Sequence, residues 1–499
     1  MKIKFKFLHH SKNNLLFTAV LIFMLLNISV QSSAQNSPII FNKEAKQQNA
    51  TISDDIKIQL IECENTLNYP QSVKRFYEEK NDQLIWVEKG NHNRQLAPAM
   101  MILDCVLQFG LNPLDFHPNE LIYDQIKIFT EQPEMLSDVE RAKFDILLTD
   151  AMITFMNHLH YGKFNTVFTR SKIDAGGLGN FSAENHLSKL MESNDFYTEI
   201  INVQPNTKEY DDLQKYMHLV RGQYVEDSYE FPEKSVRKMT INMERLRWLT
   251  ANENPRLMIN IPAYTAKLKL KDNSYLFEVI VGKPSSPTPV LESAITHFTV
   301  APDWKVPSKI FVKELLPKAI KNIDYLANNH YAIYDAKGKF VEITLKKLKF
   351  IKAHPFGYFV RQSSGCDNAL GKIVFRFANP YDVYLHDTPQ PKLFLSAERA
   401  LSHGCIRIDD VEKLASLLLA NDGASTKIPL MKKAVLAYKK QDFLLKNPLP
   451  IKLTYVTCEL VDSQLIIYND IYNLDRGLEI AMYGAERLLA SDQKIFERK

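Results

Sequence analysis

A change of hydrophobic rhythm near residue 236 constrains this 499-residue chain more than any other feature. Before it, apolar residues recur at helical spacing. The stretch "SDVERAKFDILLTDAMITFMNHLHYGKFN" opens with the capping-box pair Ser137 and Glu140. It then places Phe144, Leu147, Leu148, Ala151, Met152, Phe155, Met156 and Leu159 on one helical pattern, and Gly162 is the natural stop. "LAPAMMILDCVLQFGLNP" predicts a second helix, ended by Gly110 and Pro113. His158 and His160 fall near the end of the longer helix, where solvated or capping roles are expected.

After residue 236, "YLFEVIVGKP" and "GKIVFRFANPYDVYLHDTP" are rich in Val, Ile, Phe and Tyr and are broken by turn residues. The second predicts a hairpin with Asn379-Pro380 at its turn and His386 at the end of its second strand. "DDVEKLASLLLANDG" predicts a helix from about Asp409 to Gly423, so Cys405 lies just ahead of a helix. An insert over about 308–358 carries the helical stretch "KIFVKELLPKAIKNIDYLANN" and then polar, hairpin-like sequence. The expected class is α+β: a mostly helical domain over 51–235, a mixed β-rich domain over 236–475 and a tail over 476–499.

The N-terminus predicts export. Lys2, Lys4, Lys6 and Lys12 precede an apolar run from Leu15 to Leu26, and Ser32 and Ala34 suit a cleavage site. Residues 1–34 therefore read as a secretory signal peptide and 35–50 as a polar linker. No second stretch is long enough to cross a membrane. The whole chain has 62 basic and 58 acidic residues; removing the four lysines of the signal leaves 58 against 58. That balance gives no electrostatic case for nucleic acid. Five cysteines, Cys63, Cys105, Cys366, Cys405 and Cys458, are widely spaced and odd in number, so at least one free thiol is expected. The sequence leaves open a Cys63–Cys105 pair. Oligomeric state is not legible.

The stretch "LSHGCIRIDD" carries the chemistry. A thiol attacks an amide-like carbonyl only as thiolate, so Cys405 needs a base, and a histidine can take its proton and later return it to a leaving amine. His403 is two residues away and His386 nineteen residues upstream; chemistry alone leaves both as candidates. Gly404 lets backbone N–H groups approach a developing oxyanion.

"YLHDTP" followed by "SHGCIR" resembles the signature of the L,D-transpeptidase catalytic domain (YkuD type), with 15 residues between His386 and Ser402. "INMERLRWL", "INIPAY", "VIVGKPSSPTPV", "APDWKVP", "NALG" and "KLF" resemble the large periplasmic subgroup, and "LLTDAMITFMNHLHYGK" resembles that subgroup's N-terminal scaffold. The resemblance implies a helical scaffold domain over 51–235 and a catalytic domain over 236–475, with 308–358 as a substrate-capping lid. It implies Cys405 as nucleophile and His386 as general acid and base. His403, Gly404 and Ser402 would shape the oxyanion region, and Arg407 would hold a substrate carboxylate. It implies an enzyme of the bacterial periplasm or envelope that acts on peptidoglycan stem peptides without a cofactor or metal. Two features depart from the subgroup. Residues 205–240 are too short for its peptidoglycan-binding module, and "QSSGCDNALG" stands where a proline–glycine segment is usual, which makes Cys366 unexpected.

Three other readings compete. Water as acceptor would give an L,D-carboxypeptidase or another wall-peptide hydrolase. A non-catalytic binding protein would not need the intact His386, Gly404 and Cys405. Cys366, His386, His403 and Cys405 supply four possible zinc ligands, but without the close ligand pairs of structural zinc sites.

Overall fold

The computed structural model describes residues 51–485 and 488, apart from 88–93, 133–134, 180, 222–232 and 250–255. The expected signal peptide, the linker and most of the tail lie outside these residues.

Among the described residues, ten α-helices make up the first half: α1 (Ile52–Glu62), α2 (Pro70–Glu79), α3 (Leu96–Asp104), α4 (Tyr123–Glu131), α5 (Asp138–Tyr161), α6 (Arg170–Ala175), α7 (Ala183–Leu190), α8 (Phe196–Ile201), α9 (Lys208–Arg221) and α10 (Glu233–Leu249). The expected capping box starts α5: Glu140 N–H donates to Ser137 Oγ, and the Glu140 carboxylate accepts from Ser137 N–H. Gly162 ends it with φ 80°. This helix is buried on nearly all sides because α1, α2, α7 and α8 pack around it. Two buried carboxylates on it bind neighbouring chain. Asp145 accepts from the N–H groups of Ile85, Trp86 and Val87 and from the Tyr77 hydroxyl, and Asp150 accepts from Asn68 and Tyr69 N–H. The predicted helix at 96 stops at Asp104 and continues as a 3₁₀ turn over Val106–Phe109, with Gly110 left-handed at its end.

His158 does not take the expected solvated role. It is buried against Tyr69 and Phe116, and burial pushes its pKa down to about 3, so it is a neutral core residue. The reason is that α5 is a central helix whose C-terminal turn is covered. His160 caps a loop instead, with Nδ1 2.9 Å from the Val203 carbonyl.

From residue 257 the chain is β-rich. β1 (Leu257–Asn260), β2 (Thr265–Leu270), β3 (Asn273–Gly282), β4 (Leu291–Val300), β8 (Ile373–Phe377), β9 (Leu385–His386), β10 (Ala400–Ser402), β11 (Ile406–Ile408) and β12 (Gln441–Thr454) form one mixed sheet. Its order is β10-β3-β11-β9-β8-β4-β12-β1-β2, and β2 also pairs with β3. That last pairing closes β3, β11, β9, β8, β4, β12, β1 and β2 into a ring, with β10 attached to β3 alone. Register aligns Phe298 of β4 with Phe375 of β8 and Phe443 of β12, and their rings lie 5.6 and 5.1 Å apart across the barrel core.

A three-stranded sheet, β5 (Trp304–Val306), β7 (Tyr358–Gln362) and β6 (Tyr331–Asp335), carries the insert. The helical turns Ser308–Ile310, Phe311–Leu315 and Leu316–Lys321 run on from one another, the middle one with π-helical bonding. The polar stretch expected to be hairpin-like holds a helix, Leu345–Ala353, between β6 and β7. Thr344 caps it, and Leu348 and Ile351, three residues apart, are buried. A hairpin, β13 (Cys458–Val461) and β14 (Gln464–Ile467), follows the barrel. The last described helix, Leu474–Tyr483, docks on α10 through Asp475, which binds Lys238 and Arg245, and Glu479, which binds Arg237.

Candidate active site

The hairpin expected around Asn379-Pro380 forms. β8 and β9 are antiparallel, and the Asn379 side chain accepts from the N–H groups of Tyr381 and Val383 to hold the turn. β9 then pairs in parallel with β11, with Leu385 opposite Ile406 and His386 opposite Arg407. Leu385 and Ile406 point into the barrel core and are fully buried. Side chains alternate along a strand, so Tyr384, His386, Cys405 and Arg407 share the opposite face. All four line one cleft of about 550 Å³, together with Ser402, His403, Leu370 and Trp304. Two other clefts, of about 630 and 650 Å³, lie among the helices and contain no cysteine.

The turn carrying Cys405 is held by its own chain and by β3. Gly404 takes φ 117°, a conformation side chains resist. Its N–H donates to Ser402 Oγ at 3.1 Å, and Ser402 Oγ donates to the Cys405 carbonyl. Thr288 Oγ1 donates to the Gly404 carbonyl and accepts from Gly282 N–H, both at 2.8 Å. The Gly404 N–H is thus occupied, whereas Cys405 N–H, like His403 N–H, has no hydrogen-bond partner among the described residues.

Electrostatics put the proton on sulfur. Burial pushes the Cys405 thiol above its ordinary value, while Tyr384, through backbone and hydroxyl, and the Arg407 charge pull it partly back. The thiol donates to the Asp382 carbonyl at 3.8 Å. Burial pushes His386 down to about 3, and the Arg407 charge adds to that; backbone groups of Asp387 and Leu370 oppose it. Among the described residues, Arg407 Nε and His386 Nδ1 are buried with no partner in good hydrogen-bond geometry, although backbone groups of Asp387 and Leu370 lie near enough to act on the imidazole. Each such atom costs about 1–3 kcal/mol, so two in one cleft mark a site arranged for something other than stability. The carboxylate of Asp409, two residues after Arg407, accepts from Glu278 N–H at 2.9 Å.

"NALG" sets the ring's surroundings. Asn368 Oδ1 accepts from Leu370 N–H, and Gly371 turns left-handed with φ 63°. A Cβ at Gly371 would lie 2.4 Å from Asp387 Cβ, beside His386.

His403 turns away to the insert, with Nε2 2.6 Å from Glu314 Oε1. Trp304 Nε1 donates to the Tyr384 hydroxyl at 3.1 Å. Tyr384, Trp304, Thr288 and Glu314 were not among the sequence candidates. Tyr384 had a legible signal, since it stands two residues before His386 and therefore on the same strand face. All five cysteines are free. Cys366 is exposed and does not line the cleft. Among the described residues no three His, Cys, Asp or Glu side chains gather as a metal would need, and no helix is long and apolar enough to cross a membrane.

Comparison with known proteins finds two families along the chain. Residues 71–217 match the family described as the scaffold domain, and residues 254–430 match the L,D-transpeptidase catalytic domain. A Haemophilus influenzae protein named "Putative L,D-transpeptidase" is 34% identical over 247 residues, 49% of this chain and 49% of that protein. The chain thus spans about half the length of the curated relative it matches. This chain carries a scaffold domain ahead of an L,D-transpeptidase catalytic domain.

Proposed function

We propose that this protein is a peptidoglycan L,D-transpeptidase with Cys405 as nucleophile and His386 as general base and acid. The observation that carries the reading is the cross-strand placement of β9 and β11, which puts His386, Cys405 and Arg407 on one face of one cleft. His386, neutral at rest, takes the thiol proton as sulfur attacks the carbonyl of the third residue of a stem tetrapeptide. Cys405 N–H and the Tyr384 hydroxyl face the developing oxyanion, Gly404 and Ser402 fix the turn, and the carbonyl–nitrogen bond breaks as His386 protonates the departing D-alanine amine. A thioester on Cys405 remains. An amine from a second stem attacks it, His386 takes the amine proton and returns it to sulfur, and a 3→3 cross-link forms. Arg407, half-buried and with its Nε lacking a hydrogen-bond partner among the described residues, suits a substrate carboxylate. The insert acts as a lid, and His403 holds it through Glu314. Stem peptides place the protein in the bacterial envelope, reached through the N-terminal signal.

The test is to incubate the purified protein with a disaccharide-tetrapeptide and read product masses, with Cys405→Ala as control. A cross-linked dimer absent from the control is expected. A tripeptide monomer alone would make water the acceptor and the enzyme an L,D-carboxypeptidase.

A further inference from the structure

The helical turns of the insert have two faces. Phe311, Leu315, Leu316 and Ala319 are buried in the insert's own core. Lys309, Ile310, Lys313 and Glu314 line the cleft. Lys283 lines it from the turn after β3, where its N–H donates to the Ser402 carbonyl at 2.9 Å and so ties that turn to the Cys405 loop. The charged side chains of the cleft are therefore Lys283, Lys309, Lys313 and Arg407 against Glu314 and Asp382, with His386 and His403 beside them. Glu314 is engaged by His403. Among the described residues no carboxylate lies within ion-pair distance of Lys283, Lys309 or Lys313, whereas Lys267, Lys372 and Lys440 elsewhere on the barrel are each paired. The cleft mouth thus holds three unneutralised ammonium groups, and its nearer acid is already taken.

Resting on the function proposed above, we propose that Lys309 and Lys313, with Lys283 lining the same cleft, form a second anion subsite that takes a side-branch carboxylate of the stem peptide, distinct from the carboxylate at Arg407. The enzyme would then select stems whose side-branch carboxylates are free over stems in which they are amidated. Charge at a cleft mouth also steers an anionic peptide inward, so binding weakens as salt rises.

The test measures binding by titration calorimetry in a Cys405→Ala background, so that turnover plays no part. The probes are a disaccharide-tetrapeptide with all carboxylates free and its counterpart with only the side-branch carboxylates amidated. The parent is expected to prefer the free acid. The double change Lys309→Ala and Lys313→Ala should weaken the free acid about five- to thirtyfold and leave the amide within twofold. Equal weakening of both probes, or of neither, overturns the subsite alone. A parent that binds neither probe refutes the stem-peptide reading and the subsite with it. Both lysines are exposed, so the variants should keep the parent's thermal midpoint.

Discussion

Arg407 stands opposite His386 across the parallel β9–β11 pair, and its charge helps to keep the imidazole neutral. The same charge favours the Cys405 thiolate. Arg407→Gln should therefore act on both partners in one direction. Without the cation the thiolate is less favoured, so the Cys405 pKa rises further; imidazolium is less disfavoured, so His386 moves back towards its ordinary value. Rates of iodoacetamide labelling at Cys405, followed against pH, should rise at higher pH in the variant than in the parent. An unchanged profile would mean that Arg407 does not reach the sulfur.

Tyr384→Phe removes a hydroxyl that lowers the Cys405 pKa and, in the proposed mechanism, faces the reacting carbonyl. Hydrogen bonds to charged groups are worth about 1.5–3 kcal/mol, so acylation of Cys405 should slow about tenfold to a hundredfold. Intact-mass kinetics of the acyl-enzyme would show this, and the labelling profile should also move to higher pH.

Two glycines separate backbone strain from contact. Gly371 and Gly423 have φ 63° and 69°, but an added Cβ meets Asp387 only at Gly371. Gly423→Ala should cost about 1–2 kcal/mol, the ordinary penalty of a left-handed alanine. Gly371→Ala should cost about 1–3 kcal/mol more and slow acylation, because Asp387 must move beside His386. Thermal unfolding and acylation rates of the two variants would give the contrast.

The Glu314–His403 pair is the polar link between the insert and the Cys405 turn, and both side chains are partly exposed. Exposed pairs contribute about 0–1 kcal/mol. Glu314→Gln should accordingly raise amide hydrogen exchange over 308–321 by up to about fivefold, with exchange in β4 and β12 unchanged.

Asp475 anchors the C-terminal helix. Burial raises its pKa, but Arg245 and Lys238 outweigh that and hold it below the usual carboxylate value. A depressed folded-state pKa gives stability that is present above the unfolded value and is lost as pH falls through the folded one. The helix Leu474–Tyr483 should thus become protease-sensitive in acid before the barrel unfolds. Asp475→Asn should reproduce that sensitivity at neutral pH, at a cost of about 3–5 kcal/mol for two cations left without their partner.

Legibility followed the range of the interactions. The capping box of α5, the stop at Gly162 and the Asn379-Pro380 turn are encoded within a few residues, and each forms where the pattern places it. The β2–β3 closure and the neighbouring of β9 with β11 depend on pairings between distant segments, which no local pattern carries. His158 was misread because its burial comes from Tyr69 and Phe116, far back in the chain. The helix Leu345–Ala353 was obscured because its lysines dilute a stripe reduced to Leu348 and Ile351. Cys405 and His386 stood out from the motif, but the partner of His403 and the hydroxyl of Tyr384 came from the fold.

The insert keeps its apolar residues to itself: Phe311, Leu316, Ile333, Leu348, Ile351 and Val360 pack together apart from the barrel core. Its chain leaves and returns on adjacent antiparallel strands, Trp304 beside Gln362 and Val306 beside Val360. A segment built this way asks the barrel only for two neighbouring exits. Evolution can lengthen, trim or replace it as a cassette, and alter which peptides reach the thiol, without repacking a single strand of the barrel.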